Sequence, residues 1–219
     1  MKLKKRIFCT VLTQLVVAGF LGTYSLSALA GSGTSVMQTA PVKAPGEYEI
    51  KLQNDIILNY GGGLNISPHF VTGLVEHLLD IDVHFGTGKT DFQLGGLVKY
   101  NLLPDLPEQM GLSFLGGFSY IKTDVLAGSQ IGEKLSFGLL SFGILASKQL
   151  EADFGQISPY IALQPEFAFR SDTSEFLLSL ALGAHWKVRE SAPWSYYSEF
   201  GLSLKNSVFM LALGASYPF

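Results

Sequence analysis

Residues 175–189 read EFLLSLALGAHWKVR. Phe176, Leu178, Leu180, Leu182, Ala184, Trp186 and Val188 fall at alternate positions, and Leu177, Ser179, Ala181, Gly183, His185, Lys187 and Arg189 fill the gaps. One face is continuously apolar and the other is small or polar. That is the period of a strand, because successive side chains of extended backbone point to opposite faces. The pattern recurs in both directions along the chain. In 194–204, Trp194, Tyr196, Phe200, Leu202 and Leu204 oppose Ser195, Tyr197, Glu199, Gly201 and Ser203. In 156–169, Ile157, Ile161, Leu163, Phe167 and Phe169 oppose Gln156, Ser158, Tyr160, Gln164 and Glu166. In 79–87 and 90–102 the apolar sets are Leu79, Ile81, Val83 and Phe85, then Phe92, Leu94, Val98, Tyr100 and Leu102. No segment offers a long amphipathic helix; Leu74–Leu79 is too short.

The alternation predicts an all-β antiparallel fold of about ten strands, at 54–65, 69–76, 79–87, 90–102, 110–123, 135–149, 155–169, 175–189, 194–204 and 208–219. Eight or twelve become possible if the first two are mis-set. A phase slip near Leu139-Leu140 reads as a bulge. A soluble sandwich would show the same alternation, with the apolar face buried. Three features favour a transmembrane barrel. The segments are long, often 11–15 residues, against the ~9–11 of a tilted membrane strand. Aromatics gather towards segment ends, as in interfacial girdles. Small residues fill much of the polar face, as a narrow barrel interior requires.

Composition agrees. The 219 residues are 47% hydrophobic but only 15% charged, well below the ~25% of ordinary globular domains. A formal net charge of −3 gives no electrostatic footprint for nucleic acid. The single cysteine, Cys9, excludes a disulfide framework and a cysteine-based zinc site.

Residues 1–30 read as a secretory signal: Lys2, Lys4, Lys5 and Arg6, an apolar run from Ile7 to Leu21, and a cleavage pattern at Ala28-Leu29-Ala30. Its removal leaves 11 basic residues against 18 acidic, a net charge of −7, and no cysteine. Residues 31–46, GSGTSVMQTAPVKAPG, are rich in Gly, Ser, Thr and Pro and read as a flexible lead. Residues 47–219 are then the folded unit.

The final segment, VFMLALGASYPF, places Phe209, Leu211, Leu213, Ala215, Tyr217 and Phe219 on one face and Gly214 on the other. With Gly214, Tyr217 and Phe219 the chain resembles the small bacterial outer-membrane β-barrel proteins of OmpA/OmpX type, without pointing to a subfamily. The resemblance spans the signal and the whole alternating region. It implies outer-membrane lipid as surroundings, and recognition of the last strand by the barrel-assembly machinery through those three residues. It also implies short periplasmic turns near 77–78, 103–109, 150–154 and 190–193. Outer loops then fall at 66–68, 87–90, 124–134, 170–174 and 205–207.

Projected inward, Asp82, Asp91, Glu166 and Glu199 fall in the upper or middle lumen and Lys99, His185, Lys187 and Arg189 lower down. Such charges either pair into a network that fills a narrow barrel or form a constriction that selects ions. Catalysis is not expected. None of the four histidines is followed two positions later by serine. Asp82 and His84 share an inward face with Asp91 nearby, a proton-transfer pair near the outer rim on geometry alone. GGG at 61–63 and GTG at 86–88 lack the Lys-Ser/Thr of a phosphate loop. The expected function is structural support or passive permeation, with no cofactor or metal and no nucleic-acid partner. Surface binding through 124–134 is the alternative, and a rim hydrolase built on Asp82 and His84 comes last.

Overall fold

A computed structural model describes residues 35–59, 62–124, 134–170, 173–188 and 193–219. Its strands are β1 (Tyr48–Ile57), β2 (Gly63–Val75), β3 (Leu79–Gly88), β4 (Phe92–Leu103), β5 (Gly111–Asp124), β6 (Lys134–Ser147), β7 (Leu150–Ala152), β8 (Gly155–Phe169), β9 (Ser174–Val188), β10 (Ser195–Lys205) and β11 (Met210–Pro218). Each pairs antiparallel with its neighbours, β1 pairs with β11, and β6 pairs with β8. Among the described residues the sheet therefore closes on itself, so paired wall positions satisfy their backbone polar groups without water.

β7 is not an eleventh stave. Ser147 faces Tyr160, and Leu150 faces Ile157, in one unbroken register. Between them Lys148 lies opposite Pro159, whose carbonyl accepts the Lys148 N–H at 3.2 Å. Proline has no N–H to return, so the ladder lapses for two residues and resumes. β6 and β7 are one stave, and the barrel has ten.

Eight of the ten expected strands lie where the alternation placed them. The first two do not. The structure forms β1 at Tyr48–Ile57 and β2 at Gly63–Val75 rather than 54–65 and 69–76. The turn between them holds Gly62 at φ +64° and Gly63 at φ +150°, conformations that L side chains rarely adopt. The 66–68 segment, expected as an outer loop, lies inside β2. The expected bulge at Leu139-Leu140 is also absent: β6 pairs with β5 in continuous register. Apolar residues occupy both faces there because Phe137 and Leu139 pack inside the barrel with Ile121, Ala168 and Leu177. Register shifts occur instead at Gly73/Val75, Asn101/Leu103 and Ser203/Lys205, all towards strand ends.

The outer wall is apolar at nearly every position. Ile50, Leu52, Val83, Leu94, Val98, Ile144, Ile161, Leu163, Leu182 and Leu213 are all exposed. Soluble monomers rarely expose contiguous apolar patches beyond a few hundred Å². Aromatics ring both ends. At the rim where β1 begins and β11 ends, Tyr48 stacks on Phe70 and on Phe219, each at 5.8 Å, and Trp194 lies 5.2 Å from Tyr217. At the far rim, Phe85 meets Phe92 at 5.4 Å, Phe118 meets Phe169 at 6.1 Å and Phe167 meets Phe176 at 5.2 Å.

The flexible lead is where the structure departs most from expectation. Residues 35–45 run inside the barrel, entering at the terminal rim, where Pro45 bridges Gly73. Val36, Met37 and Ala40 are buried. Gly73 is the low point of the wall at this entrance. A Cβ there would overlap the backbone of Lys43 and Ala44, which cannot move as a side-chain tip could. Gly73→Val is expected to cost about 1–3 kcal/mol through overpacking and to loosen the segment. Limited trypsin digestion would then yield a barrel cut after Lys43. Resistance equal to wild type would refute the close approach.

Candidate functional site

The lumen is built by alternate residues of the ten staves together with the threaded segment. An extended chain without sheet partners must hydrogen-bond its backbone some other way. Here the wall's side chains supply the partners. The N–H groups of Val36 and Met37 donate to the two oxygens of Glu199 at 2.9 and 2.6 Å. Lys51 Nζ donates to the Met37 carbonyl at 3.3 Å. Lys99 Nζ reaches the carbonyls of Thr39 and Pro41 at 3.0 and 2.8 Å. The Ala40 N–H donates to Ser147 Oγ at 2.9 Å, and Ser113 Oγ donates to the Ala40 carbonyl at 2.6 Å. Lys43 forms an ion pair with Glu49 at the entrance.

Apolar contacts seat the same segment. Val36 packs with Leu115, Leu145, Tyr160, Ala162 and Ala181, and Met37 with Tyr197 and Ala212. Polar fixation and apolar burial thus alternate along a few residues, which gives the plug one register in the lumen.

The second centre is Asp82, 2% exposed on β3. Its carboxylate gathers His69 Nδ1 at 2.8 Å, Lys51 Nζ at 3.3 Å and Gln38 Nε2 at 3.1 Å, with His84 Nδ1 at 3.8 Å. Strand order explains the convergence. Lys51, His69 and Asp82 are inward positions of three consecutive staves, and His69 faces His84 across the β2–β3 pair. Below it, Asp80 holds Lys99 at 3.1 Å.

Glycines in the middle of three staves let the outer two touch. Gly183 on β9 leaves room for the Tyr160 ring, whose hydroxyl donates to Glu199 at 2.8 Å. Gly95 on β4 lets His84 come within 3.3 Å of Ser119 Oγ on β5. Gly95 and Gly183 therefore mark where luminal side chains pass over the inner face of a stave.

Of the charges expected in the lumen, Asp82, Lys99, Glu166 and Glu199 are buried there. Glu166 accepts from Ser141 Oγ at 3.0 Å. His185 stacks on Tyr197 at 4.4 Å between ring centroids. Asp91 lies in the turn beyond β3, where its carbonyl accepts from Thr87 Oγ1. Lys187 is exposed near the terminal rim, so it does not belong to the buried network. Arg189, like 125–133 of the expected 124–134 binding loop and the 1–30 signal, lies outside the described residues.

Asp82 and His84, expected near the outer rim, are both buried in the lumen. Lys51 and His69 escape the sequence expectation because β1 and β2 lie elsewhere along the chain than the alternation places them. Once Tyr48–Ile57 is a strand, alternation from Tyr48 puts Glu49, Lys51, Gln53 and Asp55 inside. Gly214 also turns out to face the lumen, where Met37 Cε lies 2.6 Å from the place a Cβ would take. Tyr217 is exposed on the outside and Phe219 stacks beside Tyr48 at the rim.

These features define an up-and-down ten-stranded β-barrel, apolar outside, with polar and apolar clusters side by side inside, and threaded by residues 35–45. No protein-family model matches the chain, and no curated protein matches it. Among solved structures it is similar to the β domain of the Bordetella autotransporter BrkA, at 10% identity and TM-score 0.44, covering 79% of this chain and 98% of that one. It is also similar to the Acinetobacter baumannii outer-membrane protein Omp33, at 10% identity and TM-score 0.35, covering 83% of this chain and 100% of that one.

Proposed function

We propose that this is an integral outer-membrane barrel closed by its own N-terminal segment, serving as a structural element of the envelope rather than an open pore. The placement in a membrane rests on the apolar wall between two aromatic girdles. The closure rests on one observation: the backbone of residues 36–41 is held across the lumen by Glu199, Lys51, Lys99, Ser113 and Ser147. In this orientation the terminal rim faces the periplasm. Gly214, Tyr217 and Phe219 are offered on the last strand to the assembly machinery.

An extended chain fixed by buried charge-assisted bonds leaves no continuous water path along its track. Intact protein in a planar bilayer is therefore expected to stay electrically silent across a range of voltages, with folding verified by circular dichroism. Discrete, reproducible conductance steps from the intact chain would overturn the closed reading in favour of passive permeation.

A further inference from the structure

Two imidazoles and one carboxylate meet in the lumen, and the plug alone does not account for them. Gln38 and Lys51 both approach Asp82 through Oδ2. The other oxygen, Oδ1, faces His69 Nδ1 at 2.8 Å and His84 Nδ1 at 3.8 Å, with His69 Nδ1 also 3.1 Å from Oδ2. The two rings lie 5.0 Å apart between centroids, tilted by 33°. One ligand atom from each of the three residues fits within a 4.8 Å span, and all three residues are buried. Tetrahedral zinc with ligand bonds near 2.0–2.1 Å sets its ligand atoms about 3.3 Å apart. The two nitrogen–oxygen separations here fall on either side of that value, so small side-chain rotations would meet it.

A second observation points the same way. A histidine that ligates through Nδ1 carries its proton on Nε2, and metal-binding histidines give that proton to an orienting acceptor. His84 Nε2 has Ser119 Oγ at 3.3 Å, reached across Gly95. Ser119 is buried as well. The arrangement supplies two imidazole nitrogens and one carboxylate oxygen, with Ser119 Oγ behind one imidazole and Gln93 Nε2 beside it at 3.4 Å. Imidazole–carboxylate sets of this kind suit zinc and its first-row neighbours rather than calcium or magnesium, which prefer all-oxygen shells.

We infer that His69, Asp82 and His84 form a binding site for a divalent first-row transition ion of the zinc class, between β2 and β3 and on the Oδ1 side of Asp82. Lys51 keeps Oδ2, so the ion shares the carboxylate with an ammonium and binds less tightly than it would to an unshared one. The site does not depend on the closed-barrel reading, because all its ligands belong to the wall.

Cobalt(II) tests it without any assay of function. The full-length protein is stripped with a chelator and refolded from urea in lipid with cobalt present, which removes any barrier to access. One bound ion per chain is expected, with the visible absorption of tetrahedral cobalt, and zinc is expected to displace it. His69→Ala and His84→Ala should abolish uptake. His77→Ala, whose side chain is 83% exposed on a turn, should leave it intact. Ser119→Ala should weaken binding by about 10–100-fold, and it serves as the decisive variant if a histidine change prevents folding. Failure of the folded wild-type protein to take up one ion, or uptake unchanged in both His84→Ala and Ser119→Ala, would overturn the proposal.

Discussion

Deleting residues 35–44 is expected to turn a silent barrel into one that conducts in discrete steps. The segment fills the lumen along its path from Pro45 to Ser35, and its removal takes away the groups that satisfy Glu199, Lys99 and Ser113. Those wall groups would then need water, and a lumen lined by Glu199, Asp80, Asp82, Lys51 and Lys99 can hold it. The wall itself is unaffected in its ladders, since β1 pairs only with β2 and β11. The check is single-channel recording of the deleted chain beside the intact one, in the same lipid and at matched folded fraction. Charge on both sides of the opened path predicts weak ion selectivity. Silence from a folded deletion chain would mean that inward side chains such as Leu115, Tyr160 and Tyr197 close the lumen unaided.

The largest stability loss from a single substitution is expected at Asp82. Lys51 is 1% exposed, with Asp82 Oδ2 at 3.3 Å. Asp82→Ala leaves that ammonium buried without its carboxylate and leaves Gln38 and His69 without an acceptor. Breaking one side of a buried ion pair costs about 3–5 kcal/mol. Replacing both sides is a different matter, because an apolar pair of similar size avoids the desolvation of either charge. Lys51→Met combined with Asp82→Leu is therefore expected to recover most of the loss. Urea unfolding in lipid vesicles, followed by tryptophan fluorescence, measures both. A single variant within about 1 kcal/mol of wild type would show that water or another acidic group already serves Lys51.

The wall was legible because its rule is one-dimensional. Outside positions must be apolar, and a strand needs only a period of two to announce them, as 175–189 and 194–204 do. The aromatic ends of the staves follow from the same rule. β1 escaped because Glu49, Lys51, Gln53 and Asp55 made 48–57 look charged and solvated. The expected strand therefore begins late, at 54, and takes the glycines of the turn as strand interior. The glycine cluster after Asn59 was the available warning. The plug was illegible for a deeper reason. Nothing in SVMQTAPVK alternates, and its composition is that of a linker. What orders it lies far along the chain, in Ser113, Ser147 and Glu199. The site at Asp82 was half visible: Asp82 and His84 share one strand's inward face, while their partners His69 and Lys51 lie on the two misassigned staves.

The order of the chain gives the threaded segment an unusual place in biogenesis. It emerges before any part of the wall, yet its uppermost anchor, Glu199, lies on β10, separated by 163 residues from Val36. Its other contacts have partners nearer in the chain: Met37 with Lys51 at 14 residues' separation, and Ala40 with Ser147 at 107. The partners of the segment thus become available stave by stave, and the β1–β11 seam can form only after β10, with Glu199, has been made. A nascent chain halted before Ser195 would already carry its lower anchors on β1, β3, β4, β5 and β6, but would have no acceptor for the N–H groups of Val36 and Met37. Val36 and Met37 precede every stave in the chain, yet their N–H groups wait for β10.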